Sequence, residues 1–251
     1  MATEIPEKAG KRGTRDTFAA EEMKPALGTT GVSAVPPPRI TTVIFDYGCV
    51  LSHVPGPEDF EPLRKALGAE PAAFQDMYWR NREAYDLDAL DVHAYFGGMG
   101  AEMGVSFTPE HIQRLATLDC KIWAPINPVM VEWVRVLRDR GFKTAVLSNM
   151  SRSVGDYLRR EAKWLQLFHH LCFSGELKIG KPEPAIYHAC LKSLAVTAAE
   201  SLFIDDREVN IKAAEAVGMN GVVFTSPEQL QPELKPYGLA ESLAEVIARS
   251  S

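Results

Sequence analysis

The sequence has few cysteines and no Cys-x-x-Cys pair. Its four cysteines, Cys49, Cys120, Cys172 and Cys190, are scattered, so neither a zinc knuckle nor a redox dithiol is encoded. Lone thiols of this kind suit a reducing compartment. No apolar run reaches the roughly 18 residues of a membrane-spanning helix, and the N-terminus has no continuous apolar core of a secretion signal. There is no excess of positive charge: 27 Lys and Arg against 33 Asp and Glu give a formal net charge of -6. Nucleic acid and anionic membranes both demand a concentrated positive face, so neither is expected as a partner. A small anion, which a few local cations can hold, stays compatible. No internal repeat is found. A soluble, cytoplasmic protein is expected, with its oligomeric state left open.

What is present is enough apolar material, 46% of 251 residues, to bury a substantial core. Residues 1–38 stand apart: they mix charge with Gly, Thr and Pro, end in VPPPR, and sustain no apolar period. They read as a disordered extension, or alternatively as one short helix over DTFAAEEM. From Arg39 the chain becomes periodic. A β-branched run, Thr41–Phe45, predicts a strand. A block from about Pro57 onward then carries apolar residues three and four apart, in pieces separated by Gly or Pro. Within it FTPEH has the form of a helix start, with Thr108 as cap and Pro109 in the first turn. After Pro125 strands and helices alternate: NPVMVEWVRVLRDRG, KTAVLSN, VGDYLRREA, HLCFSG, PEPAIYHACLKSL, SLFIDD, EVNIKAAEAVG, NGVVFTS and ESLAEVIARS. This alternation implies an α/β fold, a doubly wound parallel sheet. Residues 39–51 and 126–251 form its core, and residues 52–125 a helical insertion after the first strand.

Open parallel sheets bind ligands at the carboxyl ends of their strands. There the sequence places Asp46, then Ser148 and Asn149, then Asp205 and Asp206, with Lys178 and Lys181 in the loop LKIGKPEP. Each alone has an ordinary explanation as a turn or helix cap. Together, at successive strand ends, they bring carboxylates, a hydroxyl, an amide and a lysine to one edge. Neighbouring carboxylates repel, which calls for a divalent cation, and hard oxygen ligands favour Mg²⁺.

In that order, Asp46 in FDYGCVL, Ser148 in VLSN, Lys181 in GKPEPAIY and the acid pair in FIDDREVNIKAAEAVGM resemble the four motifs of the haloacid dehalogenase superfamily. The likeness runs from about Arg39 to Ser251 and is nearest to sugar-phosphate phosphatases and the phosphatase domain of soluble epoxide hydrolases. It implies a helical cap after the first motif and a phosphatase acting on a small phosphorylated metabolite. It implies Asp46 as nucleophile, forming an aspartyl-phosphate. Mg²⁺ would be held by Asp46, the Gly48 carbonyl and the acid pair, with Asp206 the direct ligand and Asp205 acting through water or orienting Lys181. Ser148 and the Asn149 main-chain amide would hold a phosphoryl oxygen, and Lys181 would neutralise charge.

The resemblance breaks at Gly48, where many of these phosphatases carry a second Asp for general acid–base work. Three readings follow: a phosphatase whose proton moves by another route, a metal-independent dehalogenase, and a ligand- or partner-binding protein without catalysis. His53 is the candidate replacement for the missing acid. Tyr78, Trp79, Tyr85, Tyr95 and Phe96 read as packing within the insertion. Arg80 and Arg82 read as solvated ion pairs, with a second anion site as the alternative. His169 and His170 read as structural, and Cys49 as packing near the hinge.

Overall fold

The computed structural model describes residues 39–250, so the N-terminal segment and its alternative short helix lie outside the described residues. Five strands form one parallel sheet in the order β3-β2-β1-β4-β5. They are β1 (Thr42–Phe45), β2 (Lys143–Ser148), β3 (His170–Phe173), β4 (Ser201–Asp205) and β5 (Asn220–Val223). The central strand TVIF is wholly buried, as a strand covered by helices on both faces must be.

Alternate residues of each strand face opposite sides, and the packing follows that period. Val43, Phe45, Val146, Leu202 and Ile204 join Trp133, Val134, Leu158 and Leu243 in one apolar cluster. Their helices are α6 (Pro128–Asp139), α7 (Arg152–Glu161) and α12 (Ala240–Ser250). Ile44, Ala145, Leu147 and Phe203 face the other way and pack with Ile186, Tyr187 and Ile211, carried by α9 (Pro184–Leu194) and α10 (Glu208–Ala216). The result is a three-layer αβα core. The expected helices and strands of this half all form, together with α8 (Ser174–Leu177) and α11 (Pro227–Glu233), which the sequence does not signal. Both are short, and α11 has only Leu230 as a buried residue, too little for a visible period.

Between β1 and α6 lie α1 (Pro57–Leu67), α2 (Pro71–Arg80), α3 (Arg82–Asp86), α4 (Val92–Glu102) and α5 (Pro109–Trp123). They bury a separate cluster that includes Phe60, Leu63, Phe74, Tyr78, Phe96 and Leu115. Thr108 caps α5 as its sequence predicts, its hydroxyl accepting from His111 N at 3.2 Å. The chain leaves and re-enters the α/β core side by side: His53 N donates to Pro125 O and Asn127 N to Leu51 O, at 2.8 and 2.9 Å. No described helix is long and apolar enough to cross a membrane.

Two glycines fix the geometry of loops around the sheet. Gly141, at φ 85°, closes α6 in the left-handed region that disfavours a side chain. At Gly175 a Cβ would sit 2.7 Å from Arg152 N and 2.8 Å from Met150 O. These are main-chain atoms of the loop that follows β2, and they cannot swing aside. Gly175→Ala is therefore expected to destabilise the fold by about 1–3 kcal/mol, the usual cost of overpacking. In urea unfolding this appears as a lower midpoint with an unchanged slope; an unchanged midpoint would show that the loop yields freely.

Candidate active site

The strand order places three chain segments together. β1 lies between β2 and β4, so Asp46, Ser148 and Asp205 emerge from adjacent strand ends. Phe45 sits in register with both Val146 and Ile204, and Asp46 N donates to Ile204 O at 2.8 Å. The chain runs outward from β1 through β2 to β3, then crosses back to β4. That reversal opens a crevice at the carboxyl ends beside β1. A cavity of about 490 Å³ occupies it, lined by Asp46, Gly48, Ser148, Asn149, Lys181 and Asp206 among others.

Lys181 is the centre of the site. Its side chain is almost fully buried, 5% exposed for the residue, yet it meets two carboxylates: Nζ lies 2.6 Å from Asp205 Oδ2 and 2.9 Å from Asp46 Oδ1. The Phe203 ring lies 5.3 Å below the ammonium. The Asn149 side chain clasps the lysine's main chain from both sides, accepting from Lys181 N at 2.7 Å and donating to Lys181 O at 2.8 Å. The side chain of Asn149 thus positions Lys181, a role beyond the main-chain amide that its sequence motif implies. The clasp needs Gly180, where a Cβ would sit 3.1 Å from Asn149 Oδ1 and 2.8 Å from Leu87 Cδ2.

The two acids of the pair divide their work. Asp205 is fully engaged: Oδ1 accepts from Arg207 N at 2.8 Å and Asn210 Nδ2 at 2.9 Å, and Oδ2 takes Lys181. It does not line the cavity, whereas Asp206 does. Asn210 was also missed as a functional residue. Its signal is its place on the first turn of α10, five residues after Asp205.

Burial raises the Asp46 carboxyl to about 7, against the opposing pull of Lys181 and with a further push from Asp205. Burial followed by Asp205 also raises Asp206. Burial works against the Lys181 charge, but Asp46 and Asp205 outweigh it and hold the ammonium above its usual range. One oxygen from each of Asp46, Asp205 and Asp206 lies within 4.8 Å of the others. Three carboxylates against one ammonium leave a formal excess of two negative charges in the cluster. An all-oxygen donor set with that deficit fits a hard divalent cation such as Mg²⁺.

Comparison with known proteins places this geometry in a family. The family model for haloacid dehalogenase-like hydrolases matches residues 40–218. The chain belongs to that family. It is 32% identical over 187 residues to the chloroplast flavin mononucleotide hydrolase 1 of Arabidopsis thaliana, covering 72% of this chain and 62% of the relative. It is 33% identical over 114 residues to the mouse bifunctional epoxide hydrolase 2, covering 44% and 21%. The chain thus spans less than two thirds of either relative. A family enzyme from Bacteroides thetaiotaomicron, solved with magnesium and inorganic phosphate, superposes with a TM-score of 0.61 at 20% identity, covering 74% of this chain and 94% of its own. That likeness is one of fold.

The turn after Asp46 is tight. Ser52 N reaches back five residues to Tyr47 O at 2.8 Å, and Cys49 N donates to Ser52 Oγ at 3.0 Å. Cys49 takes φ 59°, a left-handed value that costs a non-glycine residue about 1–2 kcal/mol. Gly48 takes φ -61°, which any residue adopts. Its missing Cβ would meet only Trp123 Cζ3, at an ordinary 3.8 Å. The backbone therefore does not require glycine at position 48; the second acid is absent by sequence, not by geometry.

Helices α2, α3 and α5 supply the opposite wall of the cavity: Trp79, Arg82, Glu83, Asp86 and Trp123. Here several expectations are corrected. Arg82 is not solvated: it is buried, with Nε on Asp86 Oδ1 at 2.8 Å and Nη1 on Asp119 Oδ1 at 2.9 Å and on the Tyr78 hydroxyl. Two carboxylates and a phenol supply the partners that a buried guanidinium needs. Arg80 is exposed and paired with Asp76 and Glu102. His53 is exposed and lies outside the cavity lining, so it does not stand in for the missing acid. Its main-chain N–H is tied to Pro125 at the crossover, which directs that residue to the linker. Tyr78, Tyr85, Tyr95 and Phe96 are packing residues, but Trp79 is 48% exposed at the cavity. Cys49 lines the cavity within the turn that follows Asp46. Trp123 and Asp119 were missed because the spacing of α5 shows a buried face without showing which neighbour it meets.

A cation held by Asp46 competes with the proton that burial favours there. Mg²⁺ affinity, followed by tryptophan fluorescence through Trp123, is expected to be constant above about pH 7 and to fall roughly tenfold per unit below it. Affinity independent of pH between 5 and 8 would remove Asp46 from the ligand set.

Proposed function

We propose that this hydrolase is a Mg²⁺-dependent phosphatase of a small phosphorylated metabolite, working through an aspartyl-phosphate. The observation that carries the reading is the chain Asp46–Lys181–Asp205, with Asp46 and Lys181 at the floor of the cavity, Asp205 behind them and Asp206 beside them. Similarity to a flavin mononucleotide hydrolase supports a phosphate ester as substrate.

Lys181 and the Tyr47 N–H both engage Asp46 Oδ1, and Oδ2 is the oxygen assigned to attack on phosphorus. Its bond to phosphorus forms as the ester oxygen leaves; water then attacks the same phosphorus and regenerates the carboxylate. Lys181 and Ser148 hold phosphoryl oxygens, Asp205 and Asn149 keep Lys181 in place, and the Asn149 main-chain amide supplies a further donor. Asp46, the Gly48 carbonyl and Asp206 hold the metal, with Asp205 completing the acid cluster behind them. Bound there, Mg²⁺ offsets the repulsion between the carboxylate and the phosphoryl group. Positioning and charge stabilisation supply most of phosphoryl transfer, and these residues provide both. Gly48 provides no proton, so the leaving oxygen is protonated by water in the cavity. The helices of residues 52–125 act as the cap that covers the site, and the scattered thiols support a cytoplasmic setting.

A screen of small phosphate monoesters is expected to show phosphate release that requires Mg²⁺ and falls to background in Asp46→Asn. Metal-independent release, or undiminished release by the variant, would overturn the reading. Gly48→Asp tests the missing acid separately. The backbone accepts the residue, and general acid–base help is typically worth about 10²–10⁴ in rate. An increase in kcat of at least about tenfold is expected; a decrease would show that the Trp123 side of the turn misdirects a carboxylate.

A further inference from the structure

The cavity wall opposite the phosphoryl site carries a charge pattern that the phosphatase reading leaves unused. Among the described residues that wall has one cation, Arg82, and it is already matched by Asp86 and Asp119. Glu83 adds a third carboxylate facing the cavity, exposed and with no ion-pair partner among the described residues. Asp119, wholly buried behind the wall, has an Oδ2 with no hydrogen-bond partner. The formal balance of Arg82 against Glu83, Asp86 and Asp119 is negative by two. The other lining cations, Lys181 and Arg207, stand on the sheet side beside the acid pair.

Two indoles complete the wall. Trp79 is 48% exposed although an apolar cluster lies next to it, and its ring meets Trp123 at 78° with centroids 6.4 Å apart. The Trp123 ring already has the Arg82 guanidinium 5.8 Å from its centroid, so the exposed Trp79 beside Glu83 offers the open aromatic side of the kind of cage that recognises ammonium groups, with Trp123 closing the corner. A second phosphate or carboxylate would find no uncompensated cation here and would face Glu83 and Asp86, a built-in repulsion against anions.

We infer that the cap wall selects a positively charged leaving group: the substrate is a phosphate monoester of an amino alcohol, its ammonium seated between Trp79, Trp123 and Glu83. This rests on the phosphatase reading for its chemistry, but the charge preference of the wall is separately measurable. The phosphoryl end occupies the Asp46–Lys181 floor, and the ester oxygen leaves as the free amino alcohol.

An isosteric series tests it: 2-aminoethyl phosphate, n-propyl phosphate and phosphoglycolate differ chiefly in terminal charge, and phenyl phosphate reports aromatic stacking alone. With Mg²⁺ present, kcat/KM is expected to fall by about tenfold from the cation to the neutral ester, and by at least as much again to the anion. Glu83→Gln and Trp79→Ala should each compress the cation-to-neutral ratio toward one. Parity of phosphoglycolate with 2-aminoethyl phosphate, or a clear lead for phenyl phosphate, would overturn the inference. Independently of turnover, choline titrated into the Mg²⁺-loaded protein should change its tryptophan fluorescence, with the change lost in Trp79→Phe, while acetate should not. A choline response without hydrolysis of any ester would keep the cation site and overturn the phosphatase reading. Hydrolysis of the neutral and anionic esters without a choline response would do the reverse.

Discussion

The ion pair on which the rest of the site depends is Lys181 between Asp46 and Asp205. A buried ammonium is costly unless it is paired, and this one is paired twice, at 2.9 and 2.6 Å. The pairing ties the loop before α9 to the ends of β1 and β4. It also leaves Asp46 short of compensation, because one lysine is shared by two acids and Asp206 adds a third. The same arrangement that orders the protein at this edge therefore leaves a charge deficit. That deficit suits the cluster to a cation rather than to a closed structural ion pair.

Around that pair the fold supplies groups that hold it in position. Asn149 holds the lysine's main chain through a two-point amide contact, and Asn210 holds Asp205 through its side-chain nitrogen. Gly180 permits the first of these by having no Cβ. Opposite them, Arg82, Asp86, Asp119 and Tyr78 form a buried polar network inside the helical layer. That network sets the electrostatic character of the upper wall without an exposed charge of its own. The two walls thus differ in kind: one gathers carboxylates around a buried lysine, and the other sets carboxylates beside two indoles.

The turn between them carries the main departure from the family pattern. Strain sits at Cys49, whose positive φ a glycine would relieve. The glycine itself stands one residue earlier, where the backbone is ordinary. Position 48 therefore tells of chemistry rather than of folding: no carboxylate stands there to carry a proton.

By itself the sequence determined the alternation of strands and helices, the cap at Thr108, the end of α6 at Gly141 and the residues at the strand ends. These are legible because periodicity, caps and glycines act over a few residues. Short or weakly apolar pieces such as α8 and α11 were not legible, since two or three buried side chains make no period. The sequence also carried Asp46, Ser148, Lys181, Asp205 and Asp206 as one set, because their order along the chain is a pattern. Only the tertiary structure decided what each touches. It gave Asp205 to Lys181 and Asp206 to the cavity, turned Asn149 into a clasp, moved His53 out to the linker and buried Arg82. These outcomes depend on which strand ends become neighbours and which helix faces meet, distances set by contacts between residues far apart in the chain.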